Sequence, residues 1–277
     1  MSDCFFFDDL NDRKLFGVIA GPCVIESKKH SLRMAAALRE KTLLIDTGTI
    51  SQRIPFLFKS SFDKANRTSV DGYRGIGFDE AYYIFQEIHG LGIETTTDVH
   101  DVWQAASTNV DIIQIPAFLC RQTDLLQAAA ESERVVNVKK GQFMSPEEMT
   151  NVVEKLRRFG CERIMVTERG TTFGYNNLVV DMRSLVTMRK MGVPLVFDAT
   201  HSTQSPGGLG NASGGSREMA EVLGRAACGV GIDAVFMEVH DDPDNAPSDG
   251  PSQIKLDRFE SVLTACHRLT TCFRENQ

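Results

Sequence analysis

The sequence predicts an α/β protein built as a single (β/α)8 TIM barrel with a short N-terminal extension. Three observations carry that expectation. Short β-branched or apolar runs alternate with longer stretches of helical periodicity, which calls for a parallel sheet covered by helices. The alternation repeats eight times, the number that closes a barrel. The chain has 277 residues, 42% of them hydrophobic, and contains no low-complexity tract, Pro/Ser-rich linker or repeat of solenoid length. Residues 1–277 therefore read as one catalytic domain, close to the roughly 250 residues that such barrels need.

In chain order the strand candidates are Phe16–Ala20, Ile54–Phe58, Ile93–Thr97, Asp111–Ile115, Arg134–Val138, Arg163–Thr167, Pro194–Asp198 and Ala234–Glu238. Amphipathic stretches follow them, among them His30–Lys41, Asp79–Leu91, Pro146–Phe159, Ser216–Cys228 and Leu256–Phe273, each with apolar residues at helical spacing. An open sheet with a nucleotide site is the alternative architecture, and GYRGIG (Gly72–Gly77) is the segment that points to it. Those glycines do not open a helix directly after a strand, so they read as a loop. Met1–Leu10 is short, aromatic and acidic.

The formal net charge is −7, which argues against a nucleic-acid partner. No run is long and apolar enough to span a bilayer, and no basic segment followed by an apolar core opens the chain. A cytoplasmic protein without a membrane partner is expected. The seven cysteines are odd in number and include no CxxC pair, so no disulfide framework is expected. Cys4, Cys120, Cys161, Cys228, Cys266 and Cys272 read as small buried hydrophobes.

In a barrel of this kind the active site forms where the strands end and the βα loops gather. The segments after the eight strands are GPCVIES, KSSFDKANRTS, TDVH, QIPAFLCRQTD, KKGQF, ERGTTFGYNN, DATHSTQSPGG and EVHDDPDNAPSDGP. They place Lys59, Lys64, Arg67, Arg121, Lys139, Lys140 and Arg169 on one face of an acidic chain. Such focusing suits a small polyanionic substrate, because Lys supplies compact charge and Arg a bidentate fork. Ser61, Asn66, Thr68 and Gln114 add uncharged hydrogen-bonding groups.

The same face collects one thiol, one imidazole and two carboxylates: Cys23 from the first loop, His201 from the seventh, and Glu238 and Asp249 from the eighth. That donor set suits a divalent transition metal with a position left for water or substrate. Cys23 directly follows the first strand, where barrel enzymes place reactive groups. A catalytic nucleophile is the rival reading, although no dedicated base or oxyanion loop can be singled out for it. His100 and His240 read as hydrogen-bonded loop histidines.

Taken together, GPCVIES, FKSSFDKANRTS, TDVH, IIQIPAFLCRQTDLL, NVKKGQF, TERGTTFGYNNLVVDMR, FDATHSTQSPGG, SGGSRE and SDGP resemble the Kdo-8-phosphate (3-deoxy-D-manno-octulosonate 8-phosphate) synthase family over nearly the whole chain. ANR and FGYNNLVVDMR are specific to that family. The resemblance implies a cytoplasmic homotetrameric transferase that joins phosphoenolpyruvate to arabinose 5-phosphate, adds water and releases phosphate, supplying Kdo for lipopolysaccharide. It implies that Lys59, Lys64, Ser61 and Gln114 surround the phosphoenolpyruvate carboxylate and that Lys139 and Arg169 hold its phosphate. Asn66, Arg67 and Thr68 match the arabinose 5-phosphate site. Arg121 would reach a neighbouring subunit's sugar phosphate, Asp98 would lie near the sugar hydroxyls, and Phe118 would line one face. Lys64, Asp98, His201 and Asp249 are the residues expected nearest the chemistry.

The family has a metal-dependent class with Cys in the first loop and a metal-independent class with Asn there. Cys23, His201, Glu238 and Asp249 match the metal set, so the resemblance implies a divalent ion, whether Zn2+, Fe2+, Mn2+ or Co2+. Departures from the pattern are GIGFDE in the third loop, Ser205 and Pro247 where apolar residues are expected, and Ser252 after SDGP. Two other functions compete. A 3-deoxy-D-arabino-heptulosonate 7-phosphate synthase acting on erythrose 4-phosphate would carry Lys-Pro-Arg-Thr-Ser where this chain inserts Asn66. A non-catalytic barrel that senses sugar phosphates would be expected to lose a cation or metal position, and this chain keeps them all.

Overall fold

A computed structural model of the chain describes residues 4–12, 15–43, 45, 53–66, 69–205 and 214–276. Eight parallel strands alternate with helices: β1 Gly17–Gly21, α1 Lys28–Leu43, β2 Phe56–Lys59, α2 Phe78–Gly90, β3 Glu94–Asp98, α3 Val102–Ser107, β4 Ile112–Ile115 and α4 Thr123–Glu131. The series continues with β5 Val135–Lys139, α5 Met149–Arg158, β6 Ile164–Glu168, α6 Arg183–Arg189, β7 Leu195–Asp198, α7 Arg217–Val230, β8 Ala234–His240 and α8 Leu256–Glu275. Each strand pairs with its neighbour, and β8 pairs back onto β1 through Gly17↔Ala234 to Gly21↔Glu238, closing the barrel. All eight strands coincide with the segments expected from sequence. Pro55 lacks an N–H for the ladder, and β2 begins one residue after it.

The pleat sorts the side chains. Outward residues such as Val18, Phe58, Ile113, Val136, Val138, Val166, Phe197 and Met237 pack beneath the helices in one large core. Inward residues form a second cluster of Ile19, Leu57, Ile112, Val135, Met165, Val196 and Phe236, which fills the lower half of the barrel. Above that apolar layer the same inward positions become Lys59, Asp98, Gln114, Asn137, Lys139, Thr167, Asp198 and Glu238. Successive inward residues are two apart, so Val135, Asn137 and Lys139 rise along β5 from apolar floor to charged mouth.

The N-terminal extension folds into a helix, Phe5–Asn11, whose Phe6, Phe7 and Leu10 join the lower cluster. It closes the bottom of the barrel. The Phe6 backbone N–H donates to Glu94 Oε2 (2.9 Å), anchoring the plug to β3. A Cβ on Gly17 would lie 2.9 Å from the Phe6 ring, so the small residue at the foot of β1 makes room for the helix.

Several expectations change. Lys140 turns outward, opposite to Lys139, and is fully buried; it donates to Thr171 Oγ1 (3.0 Å) and approaches the carbonyls of Gly141, Met144 and Gly170. It belongs to the scaffold, since adjacent strand residues face opposite ways. GIGFDE lies between β2 and α2 and so belongs to the second connection, not the third. GYRGIG is a loop, as read. Cys272 is exposed, unlike the other six cysteines. A small antiparallel hairpin, Thr171–Thr172 with Leu178–Val179, rises from the sixth loop. Among the described residues no helix is long and apolar enough to cross a membrane.

Replacing Phe6, which is 1% exposed, tests the plug. Phe6→Ala is expected to lower the unfolding free energy by about 3 to 5 kcal/mol, the range for emptying a large aromatic site. Urea denaturation measures it, and a loss under about 1 kcal/mol would show that the helix is not part of the core.

Candidate active site

The strands' C-terminal ends surround a cleft of about 310 Å3 lined by residues that include Lys64, Asn66, Asp98, Phe118, Lys139, Arg169, His201 and Asp249. All eight strands place at least one of the residues expected from sequence at this mouth or just beneath it. Arg67 and Thr68 lie outside the described residues.

Beneath the cleft, the inward polar residues are buried and pair with one another. Lys59 is 1% exposed; its Nζ sits 3.2 Å from Glu238 Oε1 and 3.5 Å from Asp98 Oδ2 and donates to the Cys23 carbonyl. Lys64 Nζ is 3.9 Å from Glu238 Oε1. Ser61 Oγ and Gln114 Nε2 each donate to Asp98 at 2.6 Å. Asn137 in turn donates to Gln114 Oε1 and accepts from Thr167 Oγ1. Ser61 and Gln114 therefore hold Asp98 in place from below, and both are fully buried.

The other half of the mouth centres on Asp198. It accepts from Lys139 Nζ at 2.6 Å, and its carboxylate lies 2.7 Å from His201 Nδ1. The His201 backbone N–H also donates to Asp198 Oδ1 (2.9 Å). Lys139 Nζ rests 3.9 Å from the centroid of the Phe236 ring, a favourable place for a desolvated cation. Arg169 donates through Nη2 to the His201 carbonyl and to Gln204 Oε1. Its Nε is buried and makes no hydrogen bond.

Buried charge here is kept by pairing. Burial opposes ionisation of Asp98, but Lys59, Lys64 and Lys139 outweigh it and hold that carboxyl well below the usual range. Burial likewise opposes the charge on Asp198, and His201 and Lys139 overcome it. Glu238 is pulled down to about 2 by His201, Lys59 and Lys64 against its burial. For Lys139 and Arg169 burial wins, and both lie below their ordinary values despite nearby carboxylates. A second anion at the mouth would favour their charged forms.

Cys23, Glu238 and Asp249 present one donor atom each, all within 4.8 Å of one another. Cys23 Sγ is 3.2 Å from Asp249 Oδ2 and 2.8 Å from Ser248 Oγ. Burial and the two carboxylates push its thiol far up, so without a cation it keeps its proton. His201 directs Nδ1 to Asp198, which leaves Nε2 facing Glu238 Oε1 at 3.4 Å. Glu238 Oε2 is buried without a hydrogen bond. Thiol and two carboxylates thus converge, with the His201 imidazole touching the group only at Glu238, and the carboxylate behind the imidazole is the usual support for a metal-ligating histidine. The residues present fit a divalent ion.

Local backbone features hold this arrangement. Asp249 adopts φ +50°, a left-handed conformation uncommon outside glycine. Ser252 closes the turn through N–H and Oγ bonds to the Asp249 carbonyl. Gln253 accepts from the Cys23 N–H (3.3 Å) and donates to the Ser248 carbonyl (2.7 Å), joining the first and eighth loops. Asp198, Gln253, Gln142 and Gln204 were not singled out from sequence. Asp198 and Gln204 lie inside the quoted DATHSTQ segment, and Gln142 inside KKGQF. Strand parity could have found Asp198, two residues beyond the inward Val196.

Arg121 is exposed and is not part of the cleft lining. Phe118 lines it yet remains 58% exposed. His240 and His100 sit off the metal set: His240 bonds Glu26, and the His100 backbone N–H bonds Gln104.

Residues 11–275 match the model of the DAHP synthetase I family. The chain is 56% identical over 251 residues to the 2-dehydro-3-deoxyphosphooctonate aldolase of Rickettsia canadensis, covering 90% of this chain and 89% of the relative. It is 55% identical over 251 residues to the protein of the same name from Rickettsia prowazekii, and 54% identical over 252 residues to that from Rickettsia bellii, with the same coverage. A family match over nearly the whole chain, with relatives above half identity, means that this chain belongs to the DAHP synthetase I family.

Proposed function

We propose that this chain condenses phosphoenolpyruvate with D-arabinose 5-phosphate and water, giving 3-deoxy-D-manno-octulosonate 8-phosphate and phosphate. The relatives' shared name supports this reading. The observation that carries it is the cleft itself, where Lys64, Lys139, Arg169 and Asn66 converge with His201 and Asp249, beside the Cys23, Glu238 and Asp249 donor group. The one barrel is then the whole catalytic domain, acting in the cytoplasm in the supply of Kdo for lipopolysaccharide.

Phosphoenolpyruvate is a dianion or trianion, and its C3 must approach the aldehyde of a second phosphate ester. Lys139 and Arg169 are assigned to its phosphate, with the unpaired Arg169 Nε a free donor for an oxygen. Lys59 and Lys64 are assigned to its carboxylate. Holding both anions lowers the entropic cost of their encounter and offsets their repulsion. Asn66, with Arg67 and Thr68, is assigned to the sugar phosphate end. Asp98, oriented by Ser61 and Gln114, accepts hydrogen bonds from the sugar hydroxyls. As C3 adds to the aldehyde, positive character develops at C2, where water adds before phosphate leaves.

A divalent ion (Zn2+, Fe2+, Mn2+ or Co2+) held by Cys23, His201, Glu238 and Asp249 would supply Lewis acidity to orient the water or polarise the aldehyde. The thiol is read as a ligand and not as a nucleophile, since burial and the adjacent carboxylates oppose the free thiolate that a nucleophile needs.

A homotetramer is part of the same reading. Phe118, Phe143, Phe173 and Tyr175 are 58%, 56%, 71% and 99% exposed. They lie on three loops joined by the Thr172 N–H bond to the Gln142 carbonyl and by close packing of Gly141 on Cys120. Apolar rings grouped this way suit burial against another copy of the chain, and the adjacent exposed Arg121 would then reach a neighbouring sugar phosphate.

Sugar choice is the first test. Steady-state assays are expected to give a higher kcat/KM with arabinose 5-phosphate than with erythrose 4-phosphate, and the opposite order would assign the chain to the heptulosonate synthases. No turnover with either would favour a sensing barrel.

The second test separates ligand from nucleophile. Cys23→Ala is expected to lose bound metal and activity together, because one thiolate of the donor set is gone. Cys23→Asn is expected to retain some activity that a chelator does not abolish. Full metal content in an inactive Cys23→Ala protein, with a covalent substrate adduct on the wild-type chain by intact mass, would identify a nucleophile instead.

A further inference from the structure

A second group of titratable side chains stands beside the metal cluster and takes no part in the chemistry above. Glu26, His30 and His240 offer donor atoms within 4.8 Å of one another. His240 Nε2 is 2.6 Å from Glu26 Oε1, and His30 Nε2 is 2.9 Å from Asp241 Oδ1. Arg33 grips the other oxygen of Asp241. The two imidazole centroids are 4.8 Å apart, and both rings are largely buried.

By composition this could be a second metal site, but the tautomer argues otherwise. The Asp242 backbone N–H donates to His240 Nδ1 (2.9 Å). That nitrogen is therefore an acceptor, and the ring proton resides on Nε2, where it is donated to Glu26. A ligating Nε2 would have to lose that proton while Nδ1 still accepted, leaving an imidazolate. The cluster is built to hold hydrogen bonds.

What it joins gives it a role. The β1–β8 ladder ends at Gly21↔Glu238, so Cys23 lies two residues beyond the last paired position. On its β2 side, the Cys23 segment is fixed by backbone: the Ser61 N–H donates to the Cys23 carbonyl (3.3 Å) and the Ile25 N–H to the Ser61 carbonyl (2.9 Å). On its β8 side the backbone pairing has stopped. Glu26 is three residues after Cys23, and His240 is two residues after Glu238 on the same inward column. Their bond continues the lock past the end of the ladder, while His30–Asp241 ties the start of α1 to the loop that leads to Asp249.

We propose that Glu26, with His240 and the His30–Asp241 pair, acts as a positioning brace that sets Cys23 against Glu238 and Asp249. The inference rests on the metal reading of that donor set. Its consequence is a preorganised site: without the brace the ligands are unchanged but their mutual spacing loosens, and affinity falls. Outer partners of metal ligands are commonly worth about 10- to 100-fold in affinity. The brace acts through the backbone and not through a direct bond to a ligand, so about tenfold is expected.

The test measures Co2+ binding to the full chain by chelator competition, for wild type, Glu26→Ala and Glu26→Gln, together with melting of each metal-free protein. Glu26→Ala is expected to bind Co2+ about tenfold more weakly, with its metal-free melting temperature within a few degrees of wild type. Glu26→Gln keeps a carbonyl that accepts the His240 proton and is expected to recover most of the affinity. Asp241→Asn, which weakens the second arm, should shift affinity in the same direction and serves if Glu26→Ala does not fold. Wild-type affinity in Glu26→Ala, or no recovery in Glu26→Gln, would overturn the brace while leaving the metal reading intact. A second equivalent of Co2+ in wild type that Glu26→Ala removes would overturn it in favour of a ligand role. No Co2+ binding by wild type would overturn the metal reading and the brace with it.

Discussion

The constraint on which this molecule depends is the two-residue parity of its strands. Every inward position is enclosed by the barrel, so a polar side chain there is costly unless it is paired. Low in the barrel the inward residues are Leu57, Ile112, Val135, Met165 and Val196, sealed by Phe6, Phe7 and Leu10 of the N-terminal helix. One pleat higher they become Lys59, Gln114, Asn137, Thr167 and Asp198. The same strands thus provide a dry floor and a charged mouth within one or two residues.

That burial is costly, and opposite charges offset it. Lys59, Lys64, Lys139 and Arg169 face Asp98, Asp198, Glu238 and Asp249 across a space only a few ångströms wide. Removing either sign would leave uncompensated charge in a low-dielectric interior. The balance is incomplete in an informative way. Arg169 Nε and Glu238 Oε2 are buried without a hydrogen-bond partner, and in the proposed reading they would meet the phosphate and the divalent ion. The same low dielectric that makes the network expensive strengthens each interaction it offers a substrate.

Much of this was legible in the sequence. All eight strands could be read because their β-branched cores are bounded by polar, Gly/Pro-rich loops, and the loop positions of Lys64, Lys139, Arg169, His201 and Asp249 followed from strand order. The parity of individual residues was less accessible. Lys139 and Lys140 are chemically alike, and only the facing of β5 distinguishes a site residue from a buried scaffold lysine. Ser61 and Gln114 read as substrate contacts, and that their hydrogen bonds also hold Asp98 emerges only in the third dimension. The Phe5–Asn11 plug is too short for a clear periodic signal, and its meaning comes from the barrel floor it covers. The hairpin at Thr171–Val179 carries its strands as two-residue pieces, below any useful sequence period.

The Lys139–Asp198 pair tests the central claim most directly, namely that paired burial in the inward column keeps the mouth charged for an anionic substrate. Asp198 is completely buried and touches both Lys139 and His201. Burial already draws the Lys139 pKa down, and Asp198 opposes that. With Asn at position 198, Lys139 should lose its proton more readily and His201 its anionic support. The measurement is kcat/KM for phosphoenolpyruvate in Asp198→Asn at neutral pH, with folding checked by circular dichroism. A folded variant with kcat/KM reduced about a hundredfold or more is the predicted result, in line with loss of a charged partner in a desolvated site. A folded variant within about twofold of wild type would contradict the account, because an uncharged interior would then hold the anion as well as a paired one.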